Sequence, residues 1–246
     1  MKILVCISKV PDTTSKIAFT DGNTQFDSNG VQFIINPYDE WYALVRGLEL
    51  KEANGGSVTV INVGEAENDP TIRKALAIGA DDAVRINTNP KDALTAASLI
   101  ANYAKENGFD MVLCGKETID YNGSQVAGMI ASFLDQPYVS NASKLDMNAN
   151  VATIERDIQG GKEVLEVEVP FVLSAAKGMA EARIPNMRGI MAARTKPLNV
   201  IEAAAIEDST TVVEYELPPA KGECRMVSAD NPAELLELLR NEAKII

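Results

Sequence analysis

Apolar and polar positions alternate in blocks over the first 135 residues. KILVCI (2–7) is a short, continuous apolar run, the pattern of a strand buried on both faces. A polar stretch with turn chemistry follows it. Asn36-Pro37 then opens a helix, with Asn36 as N-cap and Pro37 in the first position. Trp41, Leu44, Val45, Leu48 and Ala53 fall on or near one face of that helix, and Gly55-Gly56 ends it. The alternation continues with a strand over 57–64, a helix over 71–80 closed by Gly79, and a strand over 82–87. A helix over 91–108 carries a stripe through Leu94, Ala97, Ile100 and Ala101. A strand over 110–115 and a helix over 124–135, with Val126, Met129, Ile130 and Phe133 on one side, complete the series.

Strand–helix repeats of this length build a parallel sheet with helices on both faces. The expected fold class is therefore α/β, a doubly wound, Rossmann-like parallel sheet. After Asp135 the period changes to two. ASKLDM, NVATIERD and KEVLEVEV read as antiparallel strands, with a hairpin turn at Gln159-Gly160-Gly161-Lys162. VPFVLSA (169–175) reads as a buried strand returning to the sheet. From Lys177 the pattern is loop, short helix and loop, with a last amphipathic helix near 231–244. The expected organisation is a nucleotide-binding α/β domain with a small antiparallel extension over 1–190. A C-terminal arm over 191–246 lies on its own domain or on another subunit.

Composition narrows the chemistry. The chain has 246 residues and no histidine. That excludes a Ser-His-Asp triad, a His-assisted Cys nucleophile, a His-rich metal site and an imidazole base. Twenty-three basic against 35 acidic residues give a formal charge of −12, which argues against general affinity for nucleic acid or anionic membrane. The first apolar run is too short for a signal peptide, and nothing approaches 18 consecutive apolar residues, so a cytoplasmic protein without membrane insertion is expected. Cys6, Cys114 and Cys224 form no C-x-x-C; Cys6 and Cys114 read as small buried thiols.

In an open parallel sheet, ligands bind beyond the carboxyl ends of the strands, where the strand order reverses. If the first strand is central, that crevice is framed by the loop after it (7–12) and by GKETIDYNGSQVAG (115–128), the loop after the strand ending at Cys114. Asn122-Gly123-Ser124 there reads either as a turn with an N-cap or as a helix start offering free N–H groups to a phosphate. Neither G-x-G-x-x-G nor a P-loop occurs in the chain. Asn36-Pro37-Tyr38-Asp39-Glu40 is a second helix start, either a simple cap or a closure over the same crevice.

One segment departs from the acidic background. Residues 177–196 carry Lys177, Arg183, Arg188, Arg194 and Lys196 against only Glu181, a net +4 that leaves −16 for the rest. Met179, Ile184, Met187, Ile190 and Met191 lie among them. Arg with Met and Ile between Pro and Gly fits a protein-docking surface. A solvated loop and a cofactor phosphate site are the other readings. The island has no aromatic residue for stacking on nucleic acid bases.

These pieces together resemble the beta subunit of electron transfer flavoprotein. The resemblance is carried by KILVCISKVPD, INPYDEWYAL, TIRKALAIGADDAVRI, LCGKETIDYNGSQVAGMIASFLDQP, IERDIQGGKEVLEVEVPFVLSA and RIPNMRGIMAARTKPL, in that order. It implies an obligate heterodimer with an alpha subunit that holds the redox FAD. Electrons would come from flavin dehydrogenases, such as the acyl-CoA dehydrogenases of fatty acid β-oxidation, and pass to a quinone oxidoreductase or other acceptor. The subunit itself would be an electron carrier, not an enzyme. It would bind AMP structurally, or a second FAD in forms that bifurcate electrons from NADH. The family's nucleotide contacts map to Cys6, to Asn36, Pro37, Tyr38 and Asp39, and to Val63. They continue through Gly115, Lys116, Glu117, Thr118, Ile119, Asp120, Tyr121, Asn122, Gly123, Ser124, Gln125 and Val126.

The family's dehydrogenase recognition loop maps to Arg183, Ile184, Pro185, Asn186, Met187 and Arg188, with Ile184 where Leu is common. Thr13 stands where some members have an aromatic residue, and Tyr121 and Asn122 stand where acids are common. Those departures leave AMP and a second FAD both open, with AMP preferred. Two other classes share a sheet of this kind. A stand-alone adenine-nucleotide-binding regulator of the universal-stress type is disfavoured by the long arm and the basic island. A nucleotide-alpha-hydrolase enzyme, such as a ligase or sulfurylase, lacks a phosphate-activating motif.

Overall fold

Nine strands hydrogen-bond into one sheet in the computed structural model, which describes residues 1–246. At its centre are β1 (Lys2–Cys6), β6 (Ser57–Val63), β7 (Asp82–Asn87), β8 (Met111–Gly115) and β12 (Phe171–Ala175). Between β1 and β6 the chain forms two small antiparallel pairs. β2 (Lys9–Pro11) pairs with β5 (Phe33–Ile35), and β3 (Phe19–Thr20) pairs with β4 (Gln25–Phe26). The antiparallel extension is β9 (Tyr138–Asn148), β10 (Val151–Ile158) and β11 (Gly161–Glu168), and β13 (Leu198–Glu202) forms the far edge. The strand order is β11-β10-β9-β12-β8-β1-β6-β7-β13. All pairings from β9 across to β13 are parallel, and only β9-β10 and β10-β11 are antiparallel.

The order explains the crevice. From β1 the chain winds outward through β6 and β7, then crosses back to lay β8 on the other side of β1. The strand order therefore reverses between β1 and β8, as expected from the sequence.

Each face of the sheet carries its own apolar layer. Ile3, Val5, Val58, Val60, Met111 and Leu113 point to one face, under α1 (Asp39–Asn54) and α2 (Asp69–Ile78). Leu4, Cys6, Ile61, Val112 and Cys114 point to the other, under α3 (Ala93–Asn107) and α4 (Val126–Leu134). The doubly wound α/β class is thus observed. Fully burying a strand side chain such as Ile3 or Leu4, both 0% exposed, contributes about 1.5–3 kcal/mol.

Several elements differ from the sequence pattern. α1 begins at Asp39, not at Asn36. Tyr38 occupies its N-cap in a left-handed conformation (φ 65°) without a side-chain cap. Asn36 is drawn away by distant partners described below. On α4 the buried side chains are Ala127, Ile130 and Ala131, while Phe133 is exposed. α4 packs against α3 and the sheet with Ala127, Ile130 and Ala131 inward, which leaves Phe133 outward. Leu94 at the start of α3 and Ala53 in the last turn of α1 are exposed for a simpler reason, since they lie beyond the packed part of their helices. The pattern predicts no strand after Ala175, yet β13 extends the sheet beside β7.

The basic segment forms a short helix, α5 (Met187–Ala193), laid against α2. The Asn186 side chain caps it by accepting from the Gly189 amide at 2.8 Å. A Cβ on Gly189 would collide with the Ala77 carbonyl of α2, so glycine permits this close approach. Arg73 fastens the far end by donating to the Ala193 and Lys196 carbonyls at 2.8 and 2.6 Å.

The arm begins as part of the domain, with β13 in the sheet and Ile206 packed on the core, and beyond that it touches the domain at few points. The Ser209 and Thr210 amides donate to Asp92. Tyr215 stacks on Phe19 with ring centroids 4.9 Å apart, and its amide donates to Asn23. The last helix, α6 (Pro232–Asn241), buries no residue, and Val213 and Met226 are more than four-fifths exposed. No helix is long and apolar enough to cross a membrane.

Candidate functional site

Two loops leave the carboxyl ends of the central strands and meet over the switch point. Asn36 joins them. It is fully buried, and its Oδ1 accepts from the Ile119 amide at 2.9 Å while its Nδ2 donates to the Glu117 carbonyl at 3.0 Å. The segment before α1 is thereby bonded to the loop after β8. Pro37, Tyr38 and Asp39 are carried over that loop. With Tyr42, Lys116, Glu117, Ile119, Asn122 and Lys177 they line an open cleft of about 450 Å³.

The loop from Gly115 to Gln125 ends at the start of α4 in an unusual backbone. Asn122 (φ 49°) and Ser124 (φ 52°) both adopt the left-handed region, which costs a non-glycine residue energy. The amides of Gly123 through Gly128 have no hydrogen-bond acceptor in the protein, those from Val126 on because they belong to the first turn of α4. A run of free N–H groups in a left-handed turn at a helix N-terminus is an anion-binding concavity. A Cβ on Gly123 would meet nothing within 4 Å, so the backbone is open there, whereas toward the helix Ala127 is buried and Gly128 faces Tyr138. Residues Asp120 through Gln125 are exposed, Thr118 is half-buried, and Val126 packs partly against the core.

The side chains of the loop are mostly engaged with one another. Lys116 Nζ lies 2.8 Å from Glu117, whose other oxygen accepts from Ser124 Oγ at 3.0 Å. This pairing with Lys116 holds the Glu117 carboxyl below the usual range, and it holds Lys116 above its own. Asp39 is raised chiefly by burial. The cleft wall carries Lys116 and Lys177 against Asp39 and Glu117, so the partial positive charge left to the loop is that of its free backbone amides. Tyr121 is exposed over most of its surface, but desolvation of its hydroxyl and then the contact with Tyr215 of the arm push that hydroxyl up to about 12.

Beneath the loops lie groups that the sequence did not single out as site residues. Glu40 is buried, and its two oxygens accept from the Ser8 amide (2.6 Å) and the Ser8 hydroxyl (2.8 Å). Burial pushes it up to about 8, and Asp120 and Asp39 add to the rise. Gly115 packs so tightly against it that a Cβ would stand 2.6 Å from Glu40 Cγ and 2.7 Å from its amide nitrogen. Asn62 is buried near the end of β6, where it donates to the Ile7 carbonyl at 2.9 Å and accepts from Asn68. Asn62 was legible as a polar residue in the apolar run SVTVINV. Glu40 reads in sequence only as an acidic first-turn residue.

Cys6 and Val63 stand at the carboxyl ends of β1 and β6, the first buried and the second half-buried. The structure therefore brings Cys6, Asn36–Asp39, Val63 and Gly115–Val126 to one end of the sheet.

The model of the electron transfer flavoprotein domain matches residues 23–206. The chain belongs to the electron transfer flavoprotein beta-subunit family. It is 36% identical to the electron transfer flavoprotein subunit beta of Bacillus subtilis, over the whole of both chains. It is 34% identical to that of Syntrophomonas wolfei, over all of this chain and 98% of the other. The human subunit beta is 31% identical over 90% of each chain. Within this family member the basic segment beyond Lys177, which stands at the cleft wall, lies apart from the crevice. Arg183 pairs with Glu52 of α1 at 2.6 Å, and its carbonyl accepts from Trp41 Nε1. Lys196 donates into the carbonyls at the end of α2. Between these anchors Ile184 is 84% exposed and Met187 75%, with Pro185 half-buried and Arg188 in solvent.

Proposed function

We propose that this chain is the electron-carrying beta subunit of a heterodimeric electron transfer flavoprotein and that it holds AMP at the switch point. The observation that carries the reading is the row of unpartnered amides that starts at Gly123, exposed over Gly123 to Gln125 beside a cleft walled by Tyr38 and Asn122. A nucleotide monophosphate fits that chemistry. Its phosphate would take the amides and its base would lie toward Cys6, Val63 and the Asn36–Asp39 segment. Asn36 keeps both loops at a fixed spacing, which lowers the entropy cost of closing them around a ligand.

A flavin held mainly by the alpha subunit supplies the redox chemistry, and the protein supplies binding and orientation. No acid–base side chain is demanded of this subunit, consistent with a chain that lacks histidine. The arm beyond β13 and α6, which buries no residue, are the surface on which the alpha subunit would pack. Ile184 and Met187, held out between the Arg183–Glu52 pair and the α5–α2 contact, would enter an apolar pocket of a flavin dehydrogenase.

The test is co-purification with the alpha subunit, release of nucleotides by heat, and identification by mass spectrometry. One FAD and one AMP per heterodimer is the expected result. Two FAD without AMP would replace it with an electron-bifurcating reading. A chain that folds alone and binds ATP would replace it with a stand-alone regulator.

A further inference from the structure

Cys6 and Cys114 stand side by side on the two central strands. β1 and β8 are parallel with Val5 beside Leu113, so one step further along both strands Cys6 falls beside Cys114. Both side chains lie in the layer with Leu4 and Val112, so both thiols leave the sheet on the same face. Neighbouring strands are spaced about 4.7–4.9 Å apart, within the Cα separation of about 4.4–6.8 Å that a disulfide spans. On the outer side of Cys114 the register sets Ser174, whose hydroxyl is already engaged by Tyr138 and the Asn141 amide. Ile61 flanks Cys6 on its other side. Across the row, each thiol has the other as its free sulfur neighbour.

The surroundings decide which dithiol chemistry is favoured. The Cys114 thiol, then burial, and finally the Glu40 carboxylate push the Cys6 thiol well above its ordinary value. A charged bis-thiolate holding a soft metal ion is therefore disfavoured, whereas a disulfide is neutral and carries no such penalty.

We propose that Cys6 and Cys114 form a reversible dithiol–disulfide site oxidised by small hydroperoxides. Cys6, 6% exposed against 3% for Cys114, attacks the hydroperoxide through the small fraction of thiolate that its raised pKa leaves, so the oxidation is slow at neutral pH and quickens as pH rises. An S–O bond forms and the O–O bond breaks, giving the sulfenic acid, and the other oxygen leaves as alcohol or water with the thiol proton. The Cys114 sulfur then displaces that hydroxyl, which leaves as water as the S–S bond forms. Two thiols lose two electrons and the hydroperoxide gains them. The bond ties the carboxyl ends of β1 and β8, from which the loops over 7–12 and 116–125 depart.

The full-length chain, purified with its partner subunit and carrying Cys224→Ser to remove the exposed third thiol, is treated with hydrogen peroxide. It is then quenched, alkylated first in the native state and again on denaturation, and mapped without reduction. The expected product is a Cys6–Cys114 linked peptide pair lighter by two hydrogens, restored to two alkylatable thiols by dithiothreitol. Recovery of both cysteines as alkylated thiols would overturn the site, as would sulfinic or sulfonic acid on either without a linked pair. The readout comes from this chain's own peptides and does not depend on which nucleotide the crevice holds.

Discussion

The Asn36 side chain accepts from the Ile119 amide and donates to the Glu117 carbonyl, 83 and 81 residues away in the chain. Truncation in Asn36→Ala leaves a part-buried amide and carbonyl unpaired, a cost of about 1–3 kcal/mol. Unfolding by denaturant should show that loss, and the purified heterodimer should retain less nucleotide. Wild-type nucleotide content in a variant destabilised by this amount would show that the bridge stabilises the fold without shaping the crevice.

Glu40 sets a pH dependence. Burial raises its carboxyl from its ordinary value of 4.5 to about 8. Between those values the folded chain keeps a proton that the unfolded chain has released. The associated stability is fully present below about pH 4.5 and is lost as pH rises through about 8. Denaturant midpoints for the wild type should therefore fall across this window, with a slope approaching roughly 1 kcal/mol per pH unit from this group. In Glu40→Gln that component should vanish. Parallel pH profiles for the two proteins would mean that Glu40 does not hold the proton.

Gly189 opposes helix propensity to packing. Alanine in an exposed helix would gain about 1 kcal/mol over glycine. Here its Cβ would collide with the Ala77 carbonyl, a backbone atom of α2 that cannot rotate away. Overpacking of this kind costs about 1–3 kcal/mol, so Gly189→Ala should lower the melting temperature. It should also slow electron transfer from the dehydrogenase, because α5 carries Met187 and Met191. A raised melting temperature would show that the helices separate at little cost.

Ile184 is exposed between two fixed anchors. Removing an apolar docking anchor costs about 1–3 kcal/mol of association. Ile184→Ala should weaken coupling to the dehydrogenase by roughly five-fold to a hundred-fold while the flavin content stays unchanged. Equal rates at subsaturating dehydrogenase would remove this side chain from the docking surface.

Much of this protein is determined locally. Runs such as KILVC and MVLCG must be buried on both faces, and the glycine-closed amphipathic stretches between strands must form helices. The parallel sheet and its switch point therefore follow from period and length. The family motifs then direct attention to the loop from Gly115 to Val126. The tertiary structure decides what depends on partners far along the chain. Asn36 looks like a helix cap because Pro37 follows it, but its hydrogen bonds go to a loop more than 80 residues away, and α1 starts three residues later. β13 is half-exposed and carries little apolar signal of its own; it is a strand because the open edge of β7 offers unpaired backbone groups to it. Glu40 becomes a proton-holding group only because folding covers it with Gly115 and Ser8. Cys6 and Cys114 are separate thiols in sequence, and the register of two parallel strands makes them neighbours.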